Sequence, residues 1–273
     1  MRACTLLHIS DLHFGGRYAE EMGDAVHEAA ERIAPDAVIA SGDLVEWAER
    51  TSAWRQVARF LGRFRPPLLA VPGNHDIERA NLLDRFARPL RAYRRHVHEE
   101  VDRALQVTGA HLVGLCSPSR WTLDLGYLSR QQIEWAQDSF AGAAEGSLRV
   151  LVVHHGLRPL RRRLFRNHLR GRRVDRPLQD SGVDLVLTGH RHFPHAEQLE
   201  RGRGELLLWS QAGTATCARL HPGQQANSFT VIRARADRIE ICWWHHDPAR
   251  RGFYPGQELT FPRRRPAGLL PGT

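Results

Sequence analysis

Short apolar runs that alternate with helical periodicity, all but one followed closely by Asp, Asn or His, constrain this chain more than any other feature. The runs are Thr5–Ile9, Ala37–Ala40, Leu68–Val71, His111–Leu115, Arg149–Val153 and Asp184–Leu187, bounded by Gly, Pro, Asp or Asn. They are apolar at successive positions, which suits strands buried on both faces. Between them, residues 18–33, 51–61, 80–106, 129–140 and 160–169 carry helical spacing, with Thr51, Asn81 and Ser129 as expected N-caps and Gly62 as an expected stop. From residue 196 the pattern changes to closely spaced strands over 196–200, 205–209, 228–234 and 239–244, which reads as an antiparallel meander. The expected architecture is α/β with mixed sheets, the later one more antiparallel, packed as layers. No linker divides residues 1–261, so one domain is expected there, followed by a loose Pro/Arg-rich tail over 262–273.

A chain of 273 residues with 42% hydrophobic and 25% charged side chains is globular in composition, which excludes a disordered or fibrous protein. Cys4, Cys116, Cys217 and Cys242 are widely spaced without a C-x-x-C, so isolated thiols are expected rather than a disulfide framework or a zinc knuckle. The first fifteen residues lack a long apolar stretch, and no run approaches the roughly 20 apolar residues that span a bilayer. A cytoplasmic location is therefore expected. The net charge of +9 comes entirely from arginine, as the chain has no lysine. Residues 158–176 hold nine arginines against Asp175, a local +8, so the rest of the chain is nearly neutral. Local charge of this kind bears on partners rather than on fold.

Five segments place chemistry at the ends of expected strands. They are Asp11-Leu12-His13, Gly42-Asp43, Gly73-Asn74-His75-Asp76, His154-His155 and Gly189-His190-Arg191-His192. In an α/β sheet these ends converge at the ligand-binding edge. Alternation along an extended segment would aim Asp11 with His13, and His190 with His192, into one site. Two Asp, one Asn and four His make an all N/O donor set, too many for one ion and suited to two divalent cations of the Mn, Fe, Zn or Ni kind rather than Ca.

These segments resemble the calcineurin-like metallophosphoesterase superfamily, whose motifs are D-x-H, G-D, G-N-H-D/E, H and G-H-x-H. The resemblance runs over about residues 5–245. It implies a four-layer αββα sandwich of two mixed sheets flanked by helices, with a dinuclear metal centre. By resemblance, Asp11, His13 and His192 hold one metal, Asn74, His154 and His190 the other, and Asp43 bridges both. The first His of the pair is the family's ligand, and the family's usual proline after the pair is Gly156 here. The resemblance further implies hydrolysis by a hydroxide bridging the two ions. His75 is then a general acid or phosphoryl donor on the leaving-group side, and Asp76 orients its ring.

The segments Ser10–Gly15, Ala212–Arg219 and Asn227–Phe229 look most like the bacterial cyclic-nucleotide phosphodiesterase branch. A 3',5'-cyclic nucleotide or another small phosphodiester is the expected substrate, with Arg17 and His195 as expected substrate contacts. Arg161 and Arg162, inside the basic stretch, would draw in a polyanion, which makes a DNA or RNA nuclease the alternative. A non-catalytic scaffold of the same fold is a third reading, disfavoured because every motif position is filled. Residues 78–107 stand where a cap over the cleft would lie. His27, His96, His98 and His168 are expected on solvated helix faces.

Overall fold

A computed structural model of the chain describes residues 3–157, 182–201, 205–218, 220, 224 and 226–263. The elements run β1 Cys4–Ile9, α1 Glu20–Ile33, β2 Ala37–Ser41, α2 Thr51–Gly62, β3 Leu68–Val71, a 3₁₀ turn Asn74–Asp76, α3 Leu82–Ala87, α4 Arg91–His96, β4 Arg103–Val107, β5 Ala110–Gly114, α5 Arg130–Ala141 and β6 Leu148–Val152. They continue as β7 Leu185–Thr188, β8 His195–Arg201, β9 Glu205–Gln211, β10 Ser228–Ala234, β11 Arg238–Asp247 and β12 Gly252–Pro262. One six-stranded sheet has the order β12-β11-β10-β1-β2-β3 and the other β4-β5-β6-β7-β9-β8. Both are mixed: β1-β2-β3 and β5-β6-β7-β9 are parallel, and antiparallel strands complete each sheet.

The apolar runs are continuous because each parallel strand is buried on both faces. Leu7 and Val38 point with Val26 of α1, Trp54 of α2 and Tyr93 of α4 into one outer core. Their chain neighbours Leu6 and Ile39 meet Leu112, Val150 and Leu185 in a core built from the two sheets. Val113 and Leu151 turn away from that core to pack with Ile133 and Phe140 of α5. Three cores separate four layers, helix–sheet–sheet–helix. Successive side chains of a strand point to opposite faces, so this arrangement needs apolar residues at every position.

Several expectations from the sequence are corrected, and one strand was not read from it. The helix expected over 80–106 is instead α3, α4 and β4. Pro89 bars the preceding Arg88 from helical geometry (φ −144°, ψ 57°), and Arg103–Val107 pairs antiparallel with β5 across a two-residue turn whose Gly109 has φ +81°. The expected meander divides between the sheets: β8 and β9 extend one, and β10 to β12 extend the other. β12 escapes a sequence reading because Pro255 and Gly256 interrupt it. An edge strand tolerates both, and the register shifts opposite them between Cys242 and Trp244. His27 is buried against Phe60 and Phe64, with ring centroids at 4.6 and 4.3 Å, rather than solvated.

Asn81 and Ser129 cap α3 and α5 through their side chains, whereas Thr51 is the first residue of α2 and Arg50 occupies the cap position. β12 includes Pro262, and beyond it the Arg263 guanidinium donates to the Gly146 carbonyl at 2.7 Å.

Candidate metal centre

The loops after β1, β2 and β3 are stitched together by their own backbones. Asp11 N–H donates to Gly42 O at 3.0 Å, His13 N–H to Asp43 O at 3.1 Å and Phe14 N–H to Leu44 O at 3.0 Å. The Asp76 carboxylate is buried beneath them and accepts from the N–H groups of Gly73, Leu44 and Val45 at 2.7, 3.2 and 3.0 Å. Thr214 and Thr216 donate their hydroxyls to the carbonyls of Asp11 and Leu12 at 2.7 and 3.0 Å. The two threonines are thus structural supports of the D-x-H loop that sequence reasoning missed.

Asp11, His13, Asp43, His190 and His192 all have positive φ, at 54°, 53°, 51°, 75° and 62°. A left-handed backbone at a residue with a side chain costs about 1–3 kcal/mol and persists only where surrounding contacts over-determine it, typically at functional sites. The side chains of D-x-H and G-H-x-H therefore converge because left-handed residues bracket the middle one, not because the segments are extended. This corrects the strand-alternation argument while leaving its outcome in place.

The seven residues assigned as ligands come together. Ligand atoms of Asp11, His13, Asp43 and His192 lie within 4.8 Å of one another, as do those of Asp43, His154 and His190, so Asp43 belongs to both groups. His192 Nε2 is 3.1 Å from Asp11 Oδ1 and 3.2 Å from His13 Nε2. His154 Nε2 is 3.1 Å from Asn74 Oδ1 and 3.3 Å from Asp43 Oδ2. His154, not His155, reaches the cluster; the His155 Nδ1 instead meets the Ser117 hydroxyl at 2.9 Å.

The electrostatics of this pocket call for cations. His154 Nδ1 faces the Ser41 carbonyl at 2.7 Å. A carbonyl only accepts, so the Nδ1 proton is committed there and Nε2 is the atom that faces the two oxygens. That setting favours positive charge at Nε2, a proton or a bound cation in its place. Burial alone would depress His154, but the buried Asp43 and Asp11 charges outweigh it and push the imidazole up to about 9. Burial would likewise raise Asp11 and Asp43, yet the surrounding imidazoles hold both well below the usual carboxylate range. His190 is driven down to about 3 by burial and by the His154 charge, leaving a neutral ring with a lone pair to offer. Imidazole nitrogens, ionised carboxylates and an amide oxygen with no sulfur fit hard-to-borderline divalent cations, which would take the place of the His154 proton.

His75 and Asp76 have separate settings. His75 N–H donates to Asp43 Oδ1 at 2.9 Å, and its Nδ1 meets the Glu46 carbonyl at 3.0 Å, which leaves Nε2 for the site. Its ring lies edge-on to His13 with centroids 5.1 Å apart. The hydrogen bonds of Asp76 go to the loop backbone, so the Glu46 carbonyl orients the His75 ring in its place. Burial and the Asp43 charge push Asp76 up to about 7, against the pull of its three backbone donors. Arg17 is exposed, its backbone N–H bonded to His13 O at 3.2 Å and its charge felt at Glu46. His195 opens β8 with its ring 5.7 Å from Trp209 and 3.7 Å from the Glu197 carboxylate, apart from the ligand groups. Arg161 and Arg162, like the whole basic stretch 158–176, lie outside the described residues.

Glu46 was not singled out from the sequence. Its Oε2 lies 3.0 Å from His13 Nδ1, and that hydrogen bond holds the carboxyl below its usual range. The pair fixes the His13 tautomer so that Nε2 faces the cluster, the arrangement in which a carboxylate strengthens an imidazole ligand. Glu46→Gln is expected to weaken divalent-metal affinity roughly 10–100-fold. A Mn(II) titration followed by calorimetry measures it, and an unchanged affinity would remove Glu46 from the site.

A family model for calcineurin-like phosphoesterases matches residues 4–194. The chain belongs to the calcineurin-like phosphoesterase family. Among curated proteins it is 27% identical over 233 residues to the glycerophosphodiester phosphodiesterase GpdQ of Enterobacter lignolyticus, covering 79% of this chain and 76% of that one. It is also 27% identical over 250 residues to the 3',5'-cyclic adenosine monophosphate phosphodiesterase CpdA of Escherichia coli K12, covering 83% of this chain and 80% of that one. The purple acid phosphatase PPD1 from yellow lupin shares the fold, with a TM-score of 0.71 at 12% identity over 95% of this chain, but the chain spans only 53% of it. PhoD shares the fold with a TM-score of 0.65 at 13% identity, over 99% of this chain and 72% of that one. As a family member with phosphodiesterase relatives, the chain is a metallophosphoesterase, a hydrolase of phosphate esters. No helix among the described residues is long and apolar enough to cross a membrane.

Proposed function

We propose that the chain hydrolyses a small phosphodiester, with a 3',5'-cyclic nucleotide as the first candidate, at two divalent cations. Asp11, His13 and His192 would hold one cation, Asn74, His154 and His190 the other, and Asp43 both. The observation that carries this reading is the membership of Asp43 in both groups of converging ligand atoms. Mn, Fe, Zn and Ni all suit the donor set. Such a pair supplies Lewis-acid charge for the phosphoryl oxygens and water activated near neutral pH.

The chain's own residues do the rest. His75 offers Nε2 to the leaving-group side because its Nδ1 is taken by the Glu46 carbonyl. Asp76 locks three loop N–H groups and so keeps His75 and Asp43 in register. Arg17 and His195 are candidates for contacting the rest of the substrate. Two relatives carrying phosphodiesterase names support a diester over a monoester, and one of them is named for cyclic AMP. No described residue argues for the nuclease alternative, whose basic stretch lies outside the described part.

The test is a substrate panel with Mn(II)-loaded protein. Cyclic nucleotide turnover well above any cleavage of DNA or RNA is the expected result, and it should vanish on chelation and return with added metal. Cleavage of nucleic acid without turnover of cyclic nucleotides or glycerophosphodiesters would overturn the small-diester reading.

A further inference from the structure

Nine large apolar side chains are exposed among the described residues, and five of them fall in two short segments: Leu82, Leu83 and Phe86 of α3, and Trp121 and Leu123 in the loop before α5. Their exposures are 66%, 82%, 40%, 79% and 60%. The segments form one surface. Arg85 is buried between them and donates to Arg120 O at 2.9 Å, Thr122 O at 2.8 Å and Glu78 O at 3.2 Å. Arg120 donates back to the Phe86 carbonyl, and the Phe86 and Trp121 rings lie 5.1 Å apart. The backbone is therefore fixed while the apolar side chains face water. A concentrated patch of this kind marks an interaction site.

The surroundings are rich in arginine, although Asp84 and Asp124 lie within the two segments and Asp84 pairs with Arg88 at 3.1 Å. A cavity of about 650 Å³ beside the patch is lined by Arg88, Arg91, Arg94 and Arg120 together with Trp121 and Tyr127, and Asp102 is the one carboxylate among its lining residues. Arg95 is also exposed on α4. Both segments are tied to elements next to the candidate centre. α3 follows the Asn74–Asp76 turn, and the loop is anchored by Ser117, bonded to His155, and by Gly126, where an added Cβ would stand 2.5 Å from the His155 ring.

We propose that this patch seats the protein on an anionic lipid bilayer, with Leu82, Leu83, Phe86, Trp121 and Leu123 entering the interfacial region and the neighbouring arginines meeting headgroup phosphates. Leu, Phe and Trp flanked by arginine is the composition of interfacial anchors. A single-stranded nucleic acid would use the arginines and Trp121, but Leu82, Leu83 and Leu123 have no flat face on which a base stacks. Seating on a bilayer does not depend on turnover, so this inference and the phosphodiesterase reading can fail separately.

Flotation with vesicles of phosphatidylcholine alone, and with added phosphatidylglycerol, tests the proposal. The wild-type protein should float with the anionic vesicles, less so at high salt, and a brominated lipid should quench part of its tryptophan emission. Leu83→Gln and Trp121→Gln should each reduce vesicle partition roughly tenfold or more. Trp121→Gln should also abolish the quenching, and both variants should hydrolyse a soluble diester as the wild type does. Wild-type protein that stays unbound, or variants that float equally well, would overturn the proposal. So would variants that instead lose affinity for a single-stranded oligonucleotide, or that disperse a dimer in sedimentation velocity.

Discussion

Asp43→Ala should reduce hydrolysis of bis-p-nitrophenyl phosphate by Mn(II)-loaded protein roughly 10³-fold or more, with the fold intact. The size follows from charge: a metal centre supplies several kcal/mol of transition-state stabilisation, and about 1.4 kcal/mol corresponds to each tenfold in rate. Asp43 is the one residue whose carboxylate stands in both groups of ligand atoms, so its removal affects both. The fold survives because the side chain accepts a single backbone hydrogen bond, from His75 N–H. Two buried aspartates share the cluster, and deleting one lowers negative charge that imidazoles must otherwise balance. Steady-state kinetics, metal content and circular dichroism on the same preparation check the prediction. A folded variant that keeps a tenth of wild-type activity would refute the central role given to this residue.

Gly42→Ala should also damage the site, though it replaces no ligand. Gly42 has φ +93°, a region that residues with a Cβ rarely adopt. An added Cβ would stand 2.6 Å from His154 Nδ1, 2.7 Å from Gly73 N and 2.8 Å from Gly73 Cα. Backbone cannot swing aside as a side-chain tip does, so relief requires moving His154 or the Gly73–Asn74 loop, each of which carries a ligand. Strain of this kind costs about 1–3 kcal/mol of stability. Activity should fall roughly 10²-fold, because small misplacement of reacting groups has that effect on rate. Gly62→Ala, at the end of α2 where an added Cβ meets nothing within 4 Å, is the control and should be neutral in kinetics and neutral to slightly stabilising in denaturation. Equal behaviour of the two variants would show that the loop accommodates the methyl group.

The positions of strands and ligands were legible because two periodicities reinforced each other. Leu6 and Leu7, or Leu112 and Val113, are adjacent yet face different cores, so a strand buried on both sides declares itself as an unbroken apolar run. Asp11, Asp43, Asn74, His154 and His190 follow such runs closely, and parallel strands bring those ends to one edge. The failures have equally local causes. The apolar spacing through Leu82, Leu83, Leu90 and Val101 imitates one helix, yet Pro89 and the pairing of Arg103–Val107 with β5 divide it. In β12, Pro255 and Gly256 look like a turn until the neighbouring strand is present to pair with. Glu46 carried no signal, and Thr214 and Thr216 stood in a segment noted only for its resemblance, with no role read for either. They matter only because loops distant in sequence lie against one another, as when Thr214 reaches Asp11 O at 2.7 Å across 203 positions.

Which atoms gather at the strand ends was thus determined by the sequence alone, since donor identity and strand burial are written residue by residue. How they gather was decided by the tertiary structure. Left-handed backbone at Asp11, His13, Asp43, His190 and His192 is unfavourable locally; hydrogen bonds between separate loops hold it at Asp11, His13 and Asp43, and the Asp11 carboxylate accepts from His190 N–H at 3.0 Å. The same holds for the transfer of the ring-orienting contact of His75 from Asp76 to the Glu46 carbonyl, and for the joining of Leu82–Phe86 and Trp121–Leu123 into one apolar surface around Arg85. Each depends on contacts between residues far apart in the chain, which no local propensity encodes.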